Sequence, residues 1–465
     1  MMKKNYILLL FLLTIYNSFS QQFKVTYEQL KEYEGVYEYV NKTTLKIAAS
    51  PKDTLLYAII NESRYKLKPI SKDIFENMSK ETVTFNRKEG VISSYTSQEN
   101  TYNVINKKVI FPKEMWYARV NAPKDFKYVY VQPKQEPDGI LTANLDKSGL
   151  DKTLLNEMMS KIVDGTLPNV HSVLIIKDGK LVFEEYFYEY NKTKLHELRS
   201  ATKSFVSALI GIAIDKGLIK SKDETVLSYF PEYTFKNMNE DKRIISIKNL
   251  LTNQSGLDCD VSNPKSEGNE TTMNNSPDWV QFTLDLPMID VPGGNGMYCS
   301  GNPIILGRII EKTTKMPLPD FAKQTLFKDL GIKNFTWNFK PDTSSAETFC
   351  QLYLTPRDMG KLGLLYLNQG LWNGKQVISK DWIKESLSKQ TVVQGVNYGY
   401  LWWIKYLEVN GTRFNGKAAQ GNGGQKIYIW EEQNMITIIT GGNYNTQSPS
   451  DEIIQKYILP AFIKK

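Results

Sequence analysis

Between Phe23 and about Val131, apolar and polar residues alternate at every second position in short runs, as in Thr44–Ala49, Leu55–Ile60, Thr82–Phe85 and Val91–Tyr95. Asn, Lys-Asp and Glu-Gly turns separate the runs, so the pattern predicts strands joined by tight turns. A helix-like lead-in, Tyr27–Tyr33, runs into "EGVYEY". A small all-β domain, barrel or sandwich, is expected over residues 21–131, followed by a polar, proline-bearing linker, "QPKQEPDG", over residues 132–139.

From Ile140 the period changes. An amphipathic helix over Leu150–Asp164 leads into "SVLIIKDGKLVFEEYF", a hairpin with Asp178-Gly179 at its turn. A long apolar helix follows Ser200, and Ile219–Glu347 reads as helices and loops. Strands return in "QKIYIWEE" and "MITIITGG" before a last helix from Ser450. Strands at both ends with helices between them predict one sheet assembled from distant segments, an α/β (α+β) domain over residues 140–465.

Composition refines this picture at three points. The 465 residues are enough for two or more domains, and 41% hydrophobic with 23% charged residues describes a globular chain. Lys3 and Lys4 precede the apolar run Ile7–Ile15, and Ser18 and Ser20 sit where a signal peptidase needs small residues. Residues 1–20 therefore read as a cleaved leader, and a periplasmic or secreted protein with no later membrane segment is expected. Gln21, not a cysteine, sits at the cut, so no lipid anchor is expected there. The formal charge of +8, or +6 without Lys3 and Lys4, is too thinly spread for a nucleic-acid partner.

Candidate chemistry begins with S-x-x-K, which occurs at Ser63/Lys66, Ser200/Lys203, Ser262/Lys265 and Ser386/Lys389. The first lies in a predicted strand, where such a pair faces opposite sides. The third runs into Asn263-Pro264 in a loop, and the fourth ends a short polar helix. Only Ser200 heads a helix apolar nearly all round, "RSATKSFVSALIGIAIDKG". There Lys203 lies one turn on and can reach the Ser200 hydroxyl, while the helix start favours a developing anion. Burial would lower the lysine pKa and make it a base. The competing reading is a serine N-cap beside a solvent-facing lysine. His171 and His196 are the only histidines, too few for most zinc sites, and no G-x-S-x-G elbow occurs. No metal or cofactor is expected, and His196 is expected to pack rather than catalyse.

Further blocks settle the context: "LLTNQSGL", "PGGNGMYCSGNPIILGRIIE", "LTPRDMGKLGLLYLNQGLWNG", "YGYLWW" and "GNGGQ". With the Ser200 block they resemble the serine β-lactamase-related hydrolases, a group holding class C β-lactamases, D-alanyl-D-alanine peptidases, family VIII esterases and nylon-oligomer hydrolases. The resemblance runs from about Thr166 to the C-terminus and implies a β-lactamase/penicillin-binding-protein-like domain, an antiparallel sheet flanked by helices with a helical subdomain. It implies Ser200 as nucleophile, Lys203 as its base, and Tyr298 of Tyr298-Cys299-Ser300 as the proton-relaying tyrosine. Ser300 stands where β-lactamases commonly have asparagine and is expected to contact the lysine or the substrate.

The resemblance breaks at the strand that carries K-T-G or H-T-G in relatives binding carboxylates. Here it reads Ala419-Gln420-Gly421-Asn422-Gly423-Gly424-Gln425. Asn422, Gly423, Gly424 and Gln425 are expected to border the substrate, with a strand N–H completing an oxyanion hole. Without the cation, neutral esters or amides fit better than carboxylates. The leading expectation is an exported serine hydrolase forming an acyl-enzyme on a small-molecule or peptide-like substrate. Its alternatives are a β-lactamase or D-alanyl-D-alanine carboxypeptidase or endopeptidase acting on cell-wall material, and a penicillin-binding sensor without turnover. The "YGYLWW" aromatics are expected in the core. Of Cys259, Cys299 and Cys350, the first two flank loops that border the cleft in relatives. Export permits them to bond, and separate buried thiols are the alternative.

Overall fold

The computed structural model describes residues 23–40, 43–261, 263–339 and 351–462. The expected leader, Ser262 and Cys350 lie outside these residues. Eight antiparallel strands from Gly35 to Asn106 pair in chain order and close into a barrel, the last returning to the first through Val36 opposite Asn106 and Tyr37 opposite Val104. The alternation seen in sequence is what builds it: in Thr44–Ala49, Leu45 and Ile47 point inward and are buried while Thr44 and Lys46 are exposed. Between barrel and sandwich, the first is what forms. The lead-in is a helical turn, Tyr27–Leu30, with Thr26 and Gln29 bonding reciprocally at its start.

After Asn106 no further strand joins the barrel, and the chain runs onto the larger domain. Tyr128 OH donates to Glu185 Oε1 at 2.6 Å and Tyr130 OH to the Val182 carbonyl at 2.9 Å. The larger domain is built on a nine-stranded sheet. The hairpin Val170–Lys177 and Lys180–Tyr186 sits next to the late strand Met435–Gly441, which continues through Gln425–Trp430, Thr412–Gly421 and Trp403–Val409. The sheet is therefore made of segments from both ends of the domain, as the pattern of strands predicts.

Strands Gln425–Trp430 and Met435–Gly441 are buried at every position, which requires cover on both faces. Helix Pro356–Leu367 covers one. Its Gly363 lies so close to the sheet that a Cβ there would come within 2.8 Å of the Ile436 side chain and 3.1 Å of Ile427. The C-terminal helical segment from Ser450 covers the other face, where Asp451 meets Lys426 at 3.2 Å and the Tyr428 hydroxyl at 3.1 Å. Helices Thr202–Asp215 and Gly301–Thr314 pack together beside the sheet and carry the candidate chemistry at their N-terminal ends. No helix among the described residues is long and apolar enough to cross a membrane.

Candidate active site

Ser200 lies in a single 3₁₀ turn, Arg199–Ala201, between the short strand His196–Glu197 and helix Thr202–Asp215. The helix is buried from Thr202 through Ala213, which explains why the apolar run shows no polar stripe. Gly217, in the left-handed region at φ 69°, follows its end. Arg199 also has a positive φ, 49°, which is uncommon for a residue with a side chain. Its side chain is held on three sides, by Glu197 at 2.8 Å, by the Tyr444 ring at 4.9 Å and by Ser63 Oγ at 3.4 Å. These contacts hold the sharp turn that presents Ser200.

Lys203 is 2% exposed, and its Nζ donates to Ser200 Oγ at 2.8 Å. The solvent-facing lysine of the competing reading is thus replaced by a buried one aimed at the hydroxyl. The same ammonium lies 5.2 Å from the Tyr298 ring centroid. Tyr298 comes from the loop before helix Gly301–Thr314. Its ring lies 5.2 Å from Trp403 and 6.4 Å, edge-on, from Tyr398. The aromatic run is therefore core, as expected, and part of it forms the wall against which Tyr298 rests.

Two further features hold that loop. Cys259 and Cys299 are bonded to each other, joining the segments on either side of the cleft. Asn253, from the "LLTNQSGL" block and itself at φ 57°, receives the Cys299 N–H at 3.4 Å and Asn302 Nδ2 at 2.9 Å on its Oδ1. Its carbonyl receives the Met297 N–H at 2.8 Å. Ser300 is 1% exposed and donates to Glu270 Oε2 at 3.4 Å. Sequence reasoning assigned roles to neither Asn253 nor Glu270. Asn253 at least stood within a recognisable block, whereas Glu270 lies in a polar stretch with no local signal.

The Gly421–Gln425 region divides. Gly421 ends strand Thr412–Gly421 directly against the serine turn: a Cβ there would lie 2.2 Å from the Leu198 carbonyl oxygen and 2.9 Å from Arg199 Cβ. Asn422 is exposed, and its side chain exchanges hydrogen bonds with Asn445. Gly423 and Gly424 have φ of 93° and 103°, and Cβ atoms there would strike the Tyr444 ring and Ser448 Oγ. Gln425 is not positioned as a substrate contact. It is wholly buried, its Nε2 donates to the Gly441 and Asn422 carbonyls, and its Oε1 receives the Gly441 N–H. These residues shape the turn, and Gly421 makes the close approach. Gln420 faces away from Ala419 and Gly421 and receives Lys426 Nζ at 2.6 Å.

Of the other S-x-x-K pairs, the two within the described residues part as their contexts predict. Ser63 is buried while Lys66 is exposed on the other side of strand Ser63–Ser71. Ser386 is buried at the end of helix Lys380–Ser386. His196 packs in the interior, its ring tilted against those of Tyr190 and His171 and its Nε2 2.8 Å from His171 Nδ1.

A family model described as Beta-lactamase matches residues 162–454, more than half of the chain. A Salmonella agona protein, provisionally named a D-alanyl-D-alanine carboxypeptidase, is 27% identical over 228 residues, 43% of this chain and 51% of that protein. The chain thus spans about half the length of the curated relatives it matches. In shape the chain is similar to a family VIII carboxylesterase (16% identity, TM-score 0.53, 67% of this chain and 97% of that one). It is also similar to a D-stereospecific amidohydrolase from a Streptomyces species (16% identity, TM-score 0.52, 66% and 98%).

Proposed function

Because the chain belongs to the beta-lactamase family of serine hydrolases, we propose that it is an exported esterase or amidase that works through an acyl-enzyme on Ser200. The observation that carries this is the 2.8 Å contact from Lys203 Nζ to Ser200 Oγ, made by a buried lysine lying over the face of Tyr298. Ser200 Oγ attacks the substrate carbonyl carbon, and its proton passes to the Lys203–Tyr298 pair beside it. The carbonyl oxygen takes the negative charge and is met by the Ser200 N–H with an N–H at the end of the strand beside Gly421. Collapse expels the alcohol or amine, which takes a proton from Tyr298. Water, deprotonated by the same group, then releases the acid and restores the serine.

The strand end beside the serine turn supports a reading of the substrate class. The strand positions on that side are Ala419 and Gly421, neither of which offers the cation a carboxylate would need. Lys417 lies on the same side but farther along the strand, away from the serine turn. Neutral esters or amides therefore suit the site. Export is supported by the expected leader and by the Cys259–Cys299 bond, which is typical of oxidising compartments. The Salmonella relative supplies the second reading, a carboxypeptidase acting on peptides with a free carboxylate.

Two experiments decide. Ser200→Ala should abolish labelling by a fluorophosphonate, read as intact mass, and lower ester turnover by ~10³ or more. Labelling that persists at another serine would sink the assignment. Paired substrates differing only in a free or methylated carboxylate should favour the methylated form by about tenfold at low salt. A preference for the free acid would move the carboxypeptidase reading to first place.

A further inference from the structure

Among the described residues, the aromatic packing inside the N-terminal barrel gathers toward one end. There Tyr33 packs edge-on against Phe75 at 5.1 Å and Phe85 at 4.9 Å, with Tyr37 behind them. Toward the other end lies an open cavity of about 900 Å³ that extends to the larger domain. Along Thr82–Lys88, Phe85 and Val83 share the inward face and one core cluster, and of the two only Val83 also borders the cavity. Its lining is mixed, with Leu45, Ile47, Ala58, Leu67 and Tyr95 beside the polar Asn77, Ser79 and Gln98. An eight-stranded barrel is wide enough to hold one small ligand when its interior is not filled, and this volume lies in the range of small-molecule sites.

The position of the opening gives the cavity its meaning. It is lined in part by Thr271, Asn274 and Asn275 of the larger domain. Thr271 and Asn274 belong to helix Glu270–Asn274, whose Glu270 receives the Ser300 hydroxyl. On another side, strand Ser63–Ser71 supplies Tyr65 and Leu67 to the lining, and its Ser63 accepts from Arg199, the residue before Ser200. The same short strand and the same short helix thus border both the cavity and the serine site. Further contacts hold this junction together: Tyr444 OH donates to Glu62 at 3.3 Å, Asn445 Nδ2 to the Tyr65 hydroxyl at 3.4 Å, and Arg64 pairs with Glu189 at 3.0 Å.

We propose that the hollow end of the barrel holds the apolar tail of the substrate whose carbonyl is attacked at Ser200, so that the substrate is a neutral ester or amide bearing a long alkyl or aryl group. This rests on Ser200 being the nucleophile. Glu81 lies at the opening, held by Asn77 Nδ2 at 2.8 Å and by Gln98, and a fixed carboxylate there disfavours an anionic end entering the barrel. Ala58 is the position from which the cavity is most readily closed. It faces Ile47 on one neighbouring strand and Tyr65 on the other, both lining residues, and has the smallest side chain among them.

The test compares p-nitrophenyl acetate with p-nitrophenyl decanoate on the full chain, alongside binding of the apolar fluorophore N-phenyl-1-naphthylamine. The wild type should favour decanoate by at least tenfold in kcat/KM and should bind the fluorophore, which decanol displaces. Ala58→Trp should lower the decanoate-to-acetate ratio at least tenfold and weaken fluorophore binding. Ala58→Leu, a milder filling, should lower both by less and covers the case in which tryptophan disturbs folding. Ser200→Ala should keep fluorophore binding and lose both hydrolyses. A wild-type ratio near one, or a high ratio untouched by both Ala58 variants, would overturn the tail site while leaving Ser200 as nucleophile. Hydrolysis of both esters by Ser200→Ala would instead overturn the nucleophile, and the tail site with it.

Discussion

Acid should destabilise this protein through two histidines that flank the strand leading to Ser200. His171 Nδ1 and His196 Nε2 are 2.8 Å apart, and His196 Nδ1 lies 3.0 Å from the Glu197 carbonyl oxygen. A carbonyl only accepts, so His196 carries its proton on Nδ1 and presents the Nε2 lone pair to the Nδ1–H of His171. In this arrangement a proton added at His196 Nε2 would face the N–H that it now receives. Burial holds the His171 pKa well below the ordinary value of 6.5, with the neighbouring His196 adding to the effect. Burial also lowers that of His196, opposed by Glu62. The unfolded chain binds protons at both sites below about pH 6.5 while the folded chain resists them, so stability falls as pH falls through that window. One unit below 6.5, a histidine kept neutral costs about 1.4 kcal/mol relative to neutral pH. Each histidine contributes at most that amount, so the loss is on the order of 1–3 kcal/mol. The assay is urea unfolding at several pH values for the wild type and for His171→Phe, which keeps a ring against Tyr190, now 3.9 Å away and nearly parallel. The variant loses the bond to His196 and should be weaker at neutral pH by about 1–3 kcal/mol, with a flatter pH dependence. Identical pH slopes in the two proteins, or a His171 ring that titrates near its ordinary value by NMR, would refute the argument.

Three other outcomes follow from the geometry. Tyr298→Phe keeps the packing against Trp403 and Tyr398 but removes the hydroxyl, so kcat should drop by ~10²–10⁴ with the melting temperature little changed. An unaltered kcat would assign proton transfer to Lys203 alone. Replacing both Cys259 and Cys299 by serine removes a link between residues 40 apart in sequence. By loop entropy this should cost about 4 kcal/mol, seen as a lower unfolding midpoint that reductant no longer shifts. Gly421→Ala puts a methyl 2.2 Å from the Leu198 carbonyl oxygen and must push the strand end off the serine turn. It should reduce kcat more than it reduces stability, and a variant with full activity would show that the strand end takes no part.

Much of the local structure could be read from the chain. Alternation of period two marks the barrel strands because inward and outward residues of a strand meet different surroundings, and Thr44–Ala49 forms within the limits its pattern sets. The apolar run after Ser200 marks a buried helix, and one helical turn is enough to place Lys203 at the serine. These are relations between near neighbours, determined by backbone period and side-chain polarity. Where distant segments meet depends on sheet register and on closure of the barrel, and nothing local encodes it. Alternation alone leaves barrel and sandwich equal, and the pairing of the first strand with the last decides between them. Gln425 stands beside glycines of the site in sequence, yet the hairpin turns its amide inward to the Gly441 backbone. Glu270, in a polar stretch without pattern, is carried to Ser300 by the packing of its short helix. Arg199 takes a backbone conformation unfavourable for its residue type because Glu197, Tyr444 and Ser63, the last from the barrel, hold its side chain there. The contact of the barrel's Ser63 with Arg199 of the serine turn is of the same kind, a product of segments far apart along the chain.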